Sequence, residues 1–288
     1  MSAIRVGITP IEERDLAAVG RFLNQNLNAR ISPEAWVRSL VHPWCESRPN
    51  FGFQAHDGDR LVGVFCAIYS DQTIDGRRER FCNPHSWCML DDYRSHSISL
   101  ALHLLRQRGY HFTMLTPNPK VAEIFLHLGF KKMDDAVVVF PNLPSIKATF
   151  GANVVISDPD RIANHLPDPV REVFAAHRDI PWLRFVAFGK DNDICLVVYK
   201  RARWKRLPCA RIIDISDRAA FHRHVHLMQH HLLFRRGLVL SRVERRFLLR
   251  DPRIARFERR KQAKLLSSST LKDAQIRDLY SELVALDL

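Results

Sequence analysis

Two short stretches of the chain concentrate residue types that can do chemistry. In "WCMLDDYRSHSISLALHLLRQRG", Trp87 to Gly109, a strand pattern passes through a polar turn into a helix pattern. A helix start leaves backbone N–H groups unpaired and gathers partial positive charge, so a diphosphate can bind there without a charged side chain. Glycine usually lets the ligand approach. Here the small residues are Ser95, Ser97 and Ser99, whose hydroxyls can donate, and Arg94 adds a fixed charge. A serine-rich helix cap with no ligand explains the same residues. On the strand before the turn, His85 lies nine residues ahead of Arg94. Imidazole suits a proton acceptor near neutral pH; the plainer alternative is a half-buried strand histidine bonded to a carbonyl. A strict period of two puts Asn83, His85, Trp87 and Met89 on one face, with two apolar side chains beside the base. Asp91 and Asp92 read as turn residues.

The second stretch is "FHRHVHLMQHH", where His222, His226 and His230 recur every four residues along one helix stripe. Zinc helices use such spacing, but no Glu lies between the histidines and no suitable carboxylate or Cys is nearby. Phe221, Val225, Met228 and Leu232 form the core stripe, so the histidines are expected on the more exposed flank, facing solvent or substrate, and no metal is expected. Asp214 and Asp217 at the start of this helix argue against a second anion site.

The elements that must position these residues alternate. Residues 4–9 read as a strand, Asp15 opens a helix through Leu27, and Ser32-Pro33-Glu34 opens another. A hairpin follows around Asp57-Gly58-Asp59, then a polar break at 71–79, a strand into the turn, and the helix Ser97–Arg108. Strand Tyr110–Leu115, helix Asn118–Leu128 and strand Phe130–Phe140 complete a mixed α/β layer with helices on both faces. "FPNLPSIKATFGAN" marks a boundary, giving domains 1–140 and 141–288. The second half repeats the order helix, three strands, helix, strand, as a degenerate copy would. Thr270 and Asp273 stand at capping-box spacing before an apolar face of Ile276, Leu279, Tyr280 and Leu283, which predicts a docking helix at the C-terminal end.

At 288 residues with 46% hydrophobic and 26% charged residues, the chain describes one or two globular domains. The longest apolar run, Leu61–Tyr69, is far short of a membrane span, and no secretory leader is expected. Six cysteines without CxxC spacing read as reduced core thiols of a cytoplasmic protein. The net charge is +1 over residues 1–140 and +12 over 141–288. That asymmetry fits an acidic or polyanion-linked partner, or simply a solvated basic face. Nucleic-acid binding is disfavoured, since no binding motif and no interleaved surface aromatics accompany the arginines.

"YRSHSIS" resembles the acetyl-CoA-binding motif of the GNAT superfamily of acyl-CoA N-acyltransferases, Arg/Gln-x-x-Gly-x-Gly/Ala. Arg94 matches its basic residue, Ser97 and Ser99 take the glycine positions, and Ser95 replaces a further frequent glycine. "LTPNPKVAEIFLHLGFKK" is similar to the family's second signature, with Asn118, Gly129 and Phe130 in register. The resemblance covers roughly residues 1–140. It implies a GNAT-like α/β fold, with 141–288 as a second α/β domain and a candidate tandem repeat that shapes the acceptor cleft or forms a homodimer. It implies acetyl-CoA or another acyl-CoA as co-substrate, held by Met89, Leu90, Arg94, Ser95, His96, Ser97, Ile98, Ser99, Asn118 and Phe125, with the Met89 and Leu90 amides polarising the thioester. His85 would be the base. Many members carry a Tyr acid where this chain has Phe125, so another group protonates the thiolate, or the thiolate leaves as the anion, or the protein is not a catalyst. The expected activity is N-acyl transfer to a small-molecule or polymer-linked amine, acidic or attached to something acidic. The competitors are a non-catalytic CoA-binding scaffold and a polyanion-binding protein.

Overall fold

The computed structural model describes residues 6–148, 153–260 and 262–287. In chain order the elements are β1 (Val6–Pro10), α1 (Leu16–Asn26), α2 (Pro33–Leu40), β2 (Gly52–Asp57), β3 (Arg60–Ile74), β4 (Arg77–Met89), α3 (Ser97–Leu105), β5 (His111–Met114), α4 (Pro119–His127) and β6 (Lys131–Lys132). There follow β7 (Ala136–Pro141), β8 (Asn153–Ile156), α5 (Pro159–Ile162), α6 (Asp168–Ala175), β9 (Arg184–Lys190), β10 (Asp193–Trp204), β11 (Leu207–Ile215) and α7 (Arg218–Arg236). The chain ends with β12 (Leu240–Glu244), β13 (Arg256–Arg259), β14 (Leu265–Ser267) and α8 (Glu282–Ala285).

Local chemistry explains most of these elements. Ser32 caps α2, its hydroxyl accepting from the Ala35 amide at 3.2 Å, with Pro33 in the first turn. Asn118 caps α4 in the same way. Asp15 instead sits in a short 3-10 turn and accepts from the Glu12 amide and from Gln54. The polar break expected at 71–79 is a hairpin tip. Asp75 and Gly76 both take positive φ, 49° and 78°, which a two-residue turn with the right twist requires, and β3 and β4 pair through it.

The first sheet has the order β1-β2-β3-β4-β5-β14-β6, antiparallel except for the parallel pair β4–β5 that α3 connects. One face packs α3 and α4 around Phe65, Leu100, Leu104 and Phe125; the other packs α1 and α2 around Val19, Leu23, Trp36 and Leu40. The second sheet runs β8-β9-β10-β11-β12-β7-β13 and repeats that pattern pair by pair: three antiparallel contacts, one parallel contact bridged by a helix, then two antiparallel contacts. Helix α7 takes the place of α3, and its Phe221, Met228 and Leu232 are buried as the apolar stripe required.

Contacts divide the chain into two units: Met1–Met133 with Gln262–Gln275 and Tyr280–Leu288, and Asp134–Lys261 with Ile276–Leu279. Strand β7, expected in the first half, pairs with β12 and β13, while β14, from far along the chain, pairs with β5. Each sheet thus draws the strand beside its parallel pair from a distant part of the sequence, which local periodicity cannot register. The boundary expected in "FPNLPSIKATFGAN" lies partly outside the described residues, and the units part at Met133/Asp134 instead. The tail also differs. Residues 270–285 form a 3-10 turn at Asp273–Gln275 and the short α8, capped by Ser281, rather than one docking helix. Ile276 and Leu279 are buried in one unit and Leu283 in the other, so its apolar residues are not one stripe.

Candidate functional site

The parallel pair β4–β5 holds for only two residue pairs, Phe81–His111 and Cys82–Phe112, and then parts. Asn83 is the wedge. Its side-chain amide donates to the Thr113 carbonyl at 2.7 Å where a ladder bond would otherwise form, and its Oδ1 accepts from the Glu282 amide at 3.1 Å. Three residues on, Ser86 takes φ 54°, and Ser86 with Trp87 stands opposite the single Phe65 of β3. This β-bulge is of the kind that re-aims side chains next to functional sites. It also breaks the period of two. Cys82, Trp87 and Met89 face the α3–α4 core, while Asn83 and His85 point with Cys88 to the α1–α2 face. The shared face expected for Asn83, His85, Trp87 and Met89 is therefore not formed.

A cavity of about 320 Å³ opens where the strands separate, lined among others by Trp36, Phe65, His85, Trp87, Met114, Thr116, Asn118, Val121 and Glu282. Four polar atoms of its lining residues, Trp36 Nε1, His85 Nε2, Trp87 Nε1 and Glu282 Oε2, are buried without a hydrogen-bond partner. Trp36, His85 and Glu282 are 3%, 6% and 3% exposed. An orphaned buried polar group costs on the order of 1–3 kcal/mol, so four beside one cavity describe a place built to meet polar atoms of a ligand. Glu282 had no signal in the sequence: within "YSELVAL" a helical reading turns it outward. Its Oε1 accepts from Thr116 Oγ1 at 2.8 Å. Burial pushes its carboxyl above the usual carboxylate range, opposed by the bonds from Thr116 and Asn83 and by the Lys264 charge.

The sequence-derived residues divide. Burial, with His42 adding to it, lowers His85 to about 3, and its Nδ1 meets Ser86 Oγ at 2.9 Å. A base so weak does not match proton abstraction near neutral pH. Met89 and Leu90 also separate. The Leu90 amide donates to the Val62 carbonyl at 2.9 Å and is committed to β3. Ladder alternation turns the Met89 amide the other way, toward the side that β5 has left. Asn118 lines the cavity. Phe125 does not line it; fully buried, it packs edge-on against Phe65, Trp87 and Phe130.

An acyl-CoA needs room for its thioester arm and a grip for its diphosphate. The gap between β4 and β5 fits the first. The turn does not fit the second. Residues Asp91–His96 wind into a six-residue 3-10 helix that runs straight into α3, and the Ser97 amide donates to the Arg94 carbonyl. The Ser97 amide, at the centre of the expected cradle, is thus committed inside the helix. The true helix start lies at Asp91 and Asp92, whose carboxylates repel an anion, and exposed Arg94 pairs with Asp91 at 2.7 Å. Ser95, Ile98 and Ser99 are exposed, and His96 and Ser97 are half-buried.

In the second unit, His222 and His230 of α7 serve structure. His222 Nε2 accepts from the Leu249 and Arg250 amides at 3.0 and 3.1 Å, and His230 Nδ1 accepts from the Ser145 amide at 3.2 Å. Asp217 caps the helix, accepting from the Ala219 and Ala220 amides. Among the described residues no helix is long and apolar enough to cross a membrane.

No family model matches the sequence, and no curated protein does. Solved structures do. A GCN5-related N-acetyltransferase from Anabaena variabilis superposes with a TM-score of 0.63 at 14% identity, covering 91% of this chain and 72% of that one. A probable N-acyltransferase from Enterococcus faecalis gives 0.63 at 9% identity, over 91% and 72%. Eis1 from Mycobacterium abscessus gives 0.54 at 13% identity, over 91% and 73%. With the mixed sheet, its single parallel pair and the gap that opens between β4 and β5, these likenesses establish that the chain has the fold of the GNAT superfamily.

Proposed function

We propose that this chain transfers an acyl group from an acyl-CoA, with acetyl-CoA as the reference donor, to the nitrogen of an amine. The observation that carries the reading is the parted β4–β5 pair with four partnerless polar atoms beside its cavity. A bound thioester supplies an activated acyl carbon and a thiolate leaving group. The Met89 amide, released from the β3 ladder, is the chain's donor to the carbonyl oxygen; such a donor is worth about 3 kcal/mol in the transition state. His85, neutral at neutral pH, offers Nε2 as a hydrogen-bonding group rather than a base. Burial pushes the Cys88 thiol up to about 11 and those of Cys66 and Cys82 higher, so direct attack by the amine is favoured over an acyl-cysteine.

A second reading, a GNAT fold that neither grips a diphosphate nor catalyses, is favoured by the wound turn at Asp91–Ser97. Calorimetric titration with acetyl-CoA, followed by assay of free thiol release with a panel of amines, separates the two. Saturable binding with amine-dependent thiol release is expected. Binding without release, or no binding up to millimolar donor, overturns the acyltransferase reading and supports the second.

A further inference from the structure

The lining of the cavity specifies more than a reaction class. Among the described residues its one carboxylate is Glu282, and no Lys or Arg lines it. The rest is largely apolar, with Leu27, Ile31, Trp36, Phe65, Trp87 and Leu286 prominent. Its volume of about 320 Å³ is at the small end of ligand sites. The basic residues behind the expectation of an acidic acceptor are concentrated in residues 141–288, and an acidic acceptor here would set its charge against Glu282 with no cation of the lining to receive it.

We infer that the acceptor is a compact primary amine with an apolar, arylalkyl-type body, and that Glu282 Oε2 is the atom that receives its ammonium and removes its proton. This rests on the acyltransferase reading above. Glu282 Oε1 is already fixed by Thr116 and its backbone amide by Asn83, so the carboxylate is held rigidly with Oε2 left to bond. Trp36 and Trp87 face the apolar body, as aromatic walls do for amine ligands. In the reaction Glu282 takes one proton from the ammonium. The neutral nitrogen forms the N–C bond to the acyl carbon as the C–S bond breaks with its electron pair on sulfur. The nitrogen's surplus proton ends on sulfur, and Glu282 returns its own to water. The other charged and titratable groups about Glu282 are Lys264, beside β14, and His85 on β4.

The test uses the full-length protein, 2-phenylethylamine as probe, glutamate as the acidic control amine, and the near-isosteric variant Glu282→Gln. Quenching of Trp36 and Trp87 fluorescence reads amine binding without any donor, and acetyl-CoA titration reads the donor separately. Expected are saturable quenching by 2-phenylethylamine, none by glutamate, and at least 30-fold weaker quenching in Glu282→Gln, with acetyl-CoA affinity within twofold. In thiol release, kcat/KM for 2-phenylethylamine falls at least 100-fold in the variant, and the acidic limb of the wild-type pH profile disappears. Equal quenching by glutamate, no quenching by 2-phenylethylamine in the wild type, or Glu282→Gln within threefold of wild type overturns the inference. Loss of acetyl-CoA binding by the wild-type protein, with amine quenching intact, overturns the acyltransferase reading instead. Because wild-type quenching needs no variant, a folding defect in Glu282→Gln leaves the inference open to refutation.

Discussion

The two sheets part their parallel strands in the same way and treat the gap oppositely. In the first, β4 and β5 separate after Cys82, and His85 stands three residues beyond the last pair. In the second, β11 and β12 separate after Arg211, and Asp214 stands three residues beyond. There the carboxylates are answered by the unit's own arginines, although Arg242 Nε, at the last pair, is buried without a hydrogen-bond partner. Arg277 Nε donates to Asp214 at 2.9 Å, and Arg246 bridges Glu244 at 2.8 Å and Asp278 at 2.6 Å, with Arg260 also on Glu244. Arg246, Glu244 and Asp278 are almost wholly buried. The first gap keeps Glu282 Oε2 and His85 Nε2 unanswered beside a cavity. One topology has therefore been used twice, once with its carboxylates paired to arginines and once with a carboxylate oxygen and an imidazole nitrogen left without partners beside a cavity. The half whose unsatisfied groups line a cavity is where a ligand gains most.

Breaking the satisfied gap has the largest effect. Arg246→Met leaves Glu244 and Asp278 buried without their shared cation, and removing one partner of such a network costs about 3–5 kcal/mol. Chemical denaturation should show that loss while acetyl-CoA binding is unchanged. Glu282→Gln is the contrasting change. Its carboxyl is raised in the folded state, so the ionised form opposes folding and stability falls as pH rises through that value. The variant should lose this dependence and match or exceed the wild type in stability at pH 8, despite losing activity. For His85 the folded value near 3 lies below the unfolded 6.5. Native stability is complete above 6.5 and is lost as pH falls toward 3; His85→Gln should flatten that slope in acid melts and lower thiol release less than tenfold. The smallest effect is at the turn. Arg94→Ala removes only an exposed pair with Asp91, worth at most about 1 kcal/mol, and should leave acetyl-CoA affinity within twofold.

Much of the fold was legible because its elements carry local signals: the caps at Ser32 and Asn118, the hairpin at Asp57-Gly58, and the α7 core stripe. The exchange of β7 and β14 was not, since strand partners more than a hundred residues apart leave no periodic trace. At the site, His85 was singled out on its strand and Met89 and Asn118 through the family resemblance; His85 and Asn118 line the cavity, and Met89 does not. One inserted residue at the Ser86 bulge then turned Trp87 and Met89 away from His85's face, which a strict alternation cannot foresee. Glu282 was missed because a glutamate between apolar residues reads as a solvated helix position. At the serine turn, small hydroxylated side chains mark a helix start but do not fix which amides remain free, and the 3-10 run took the Ser97 amide.

The account stands most directly on whether the β4–β5 gap takes the thioester arm. Titrating S-acetylpantetheine, which carries that arm without a diphosphate, alongside acetyl-CoA addresses this by calorimetry. Both should bind, with affinities within about tenfold, since the Ser97 amide is committed to the helix and the carboxylates of Asp91 and Asp92 stand at its start. No heat from either ligand at millimolar concentration, or binding unaffected by a Val121→Trp substitution that fills the gap, would contradict it.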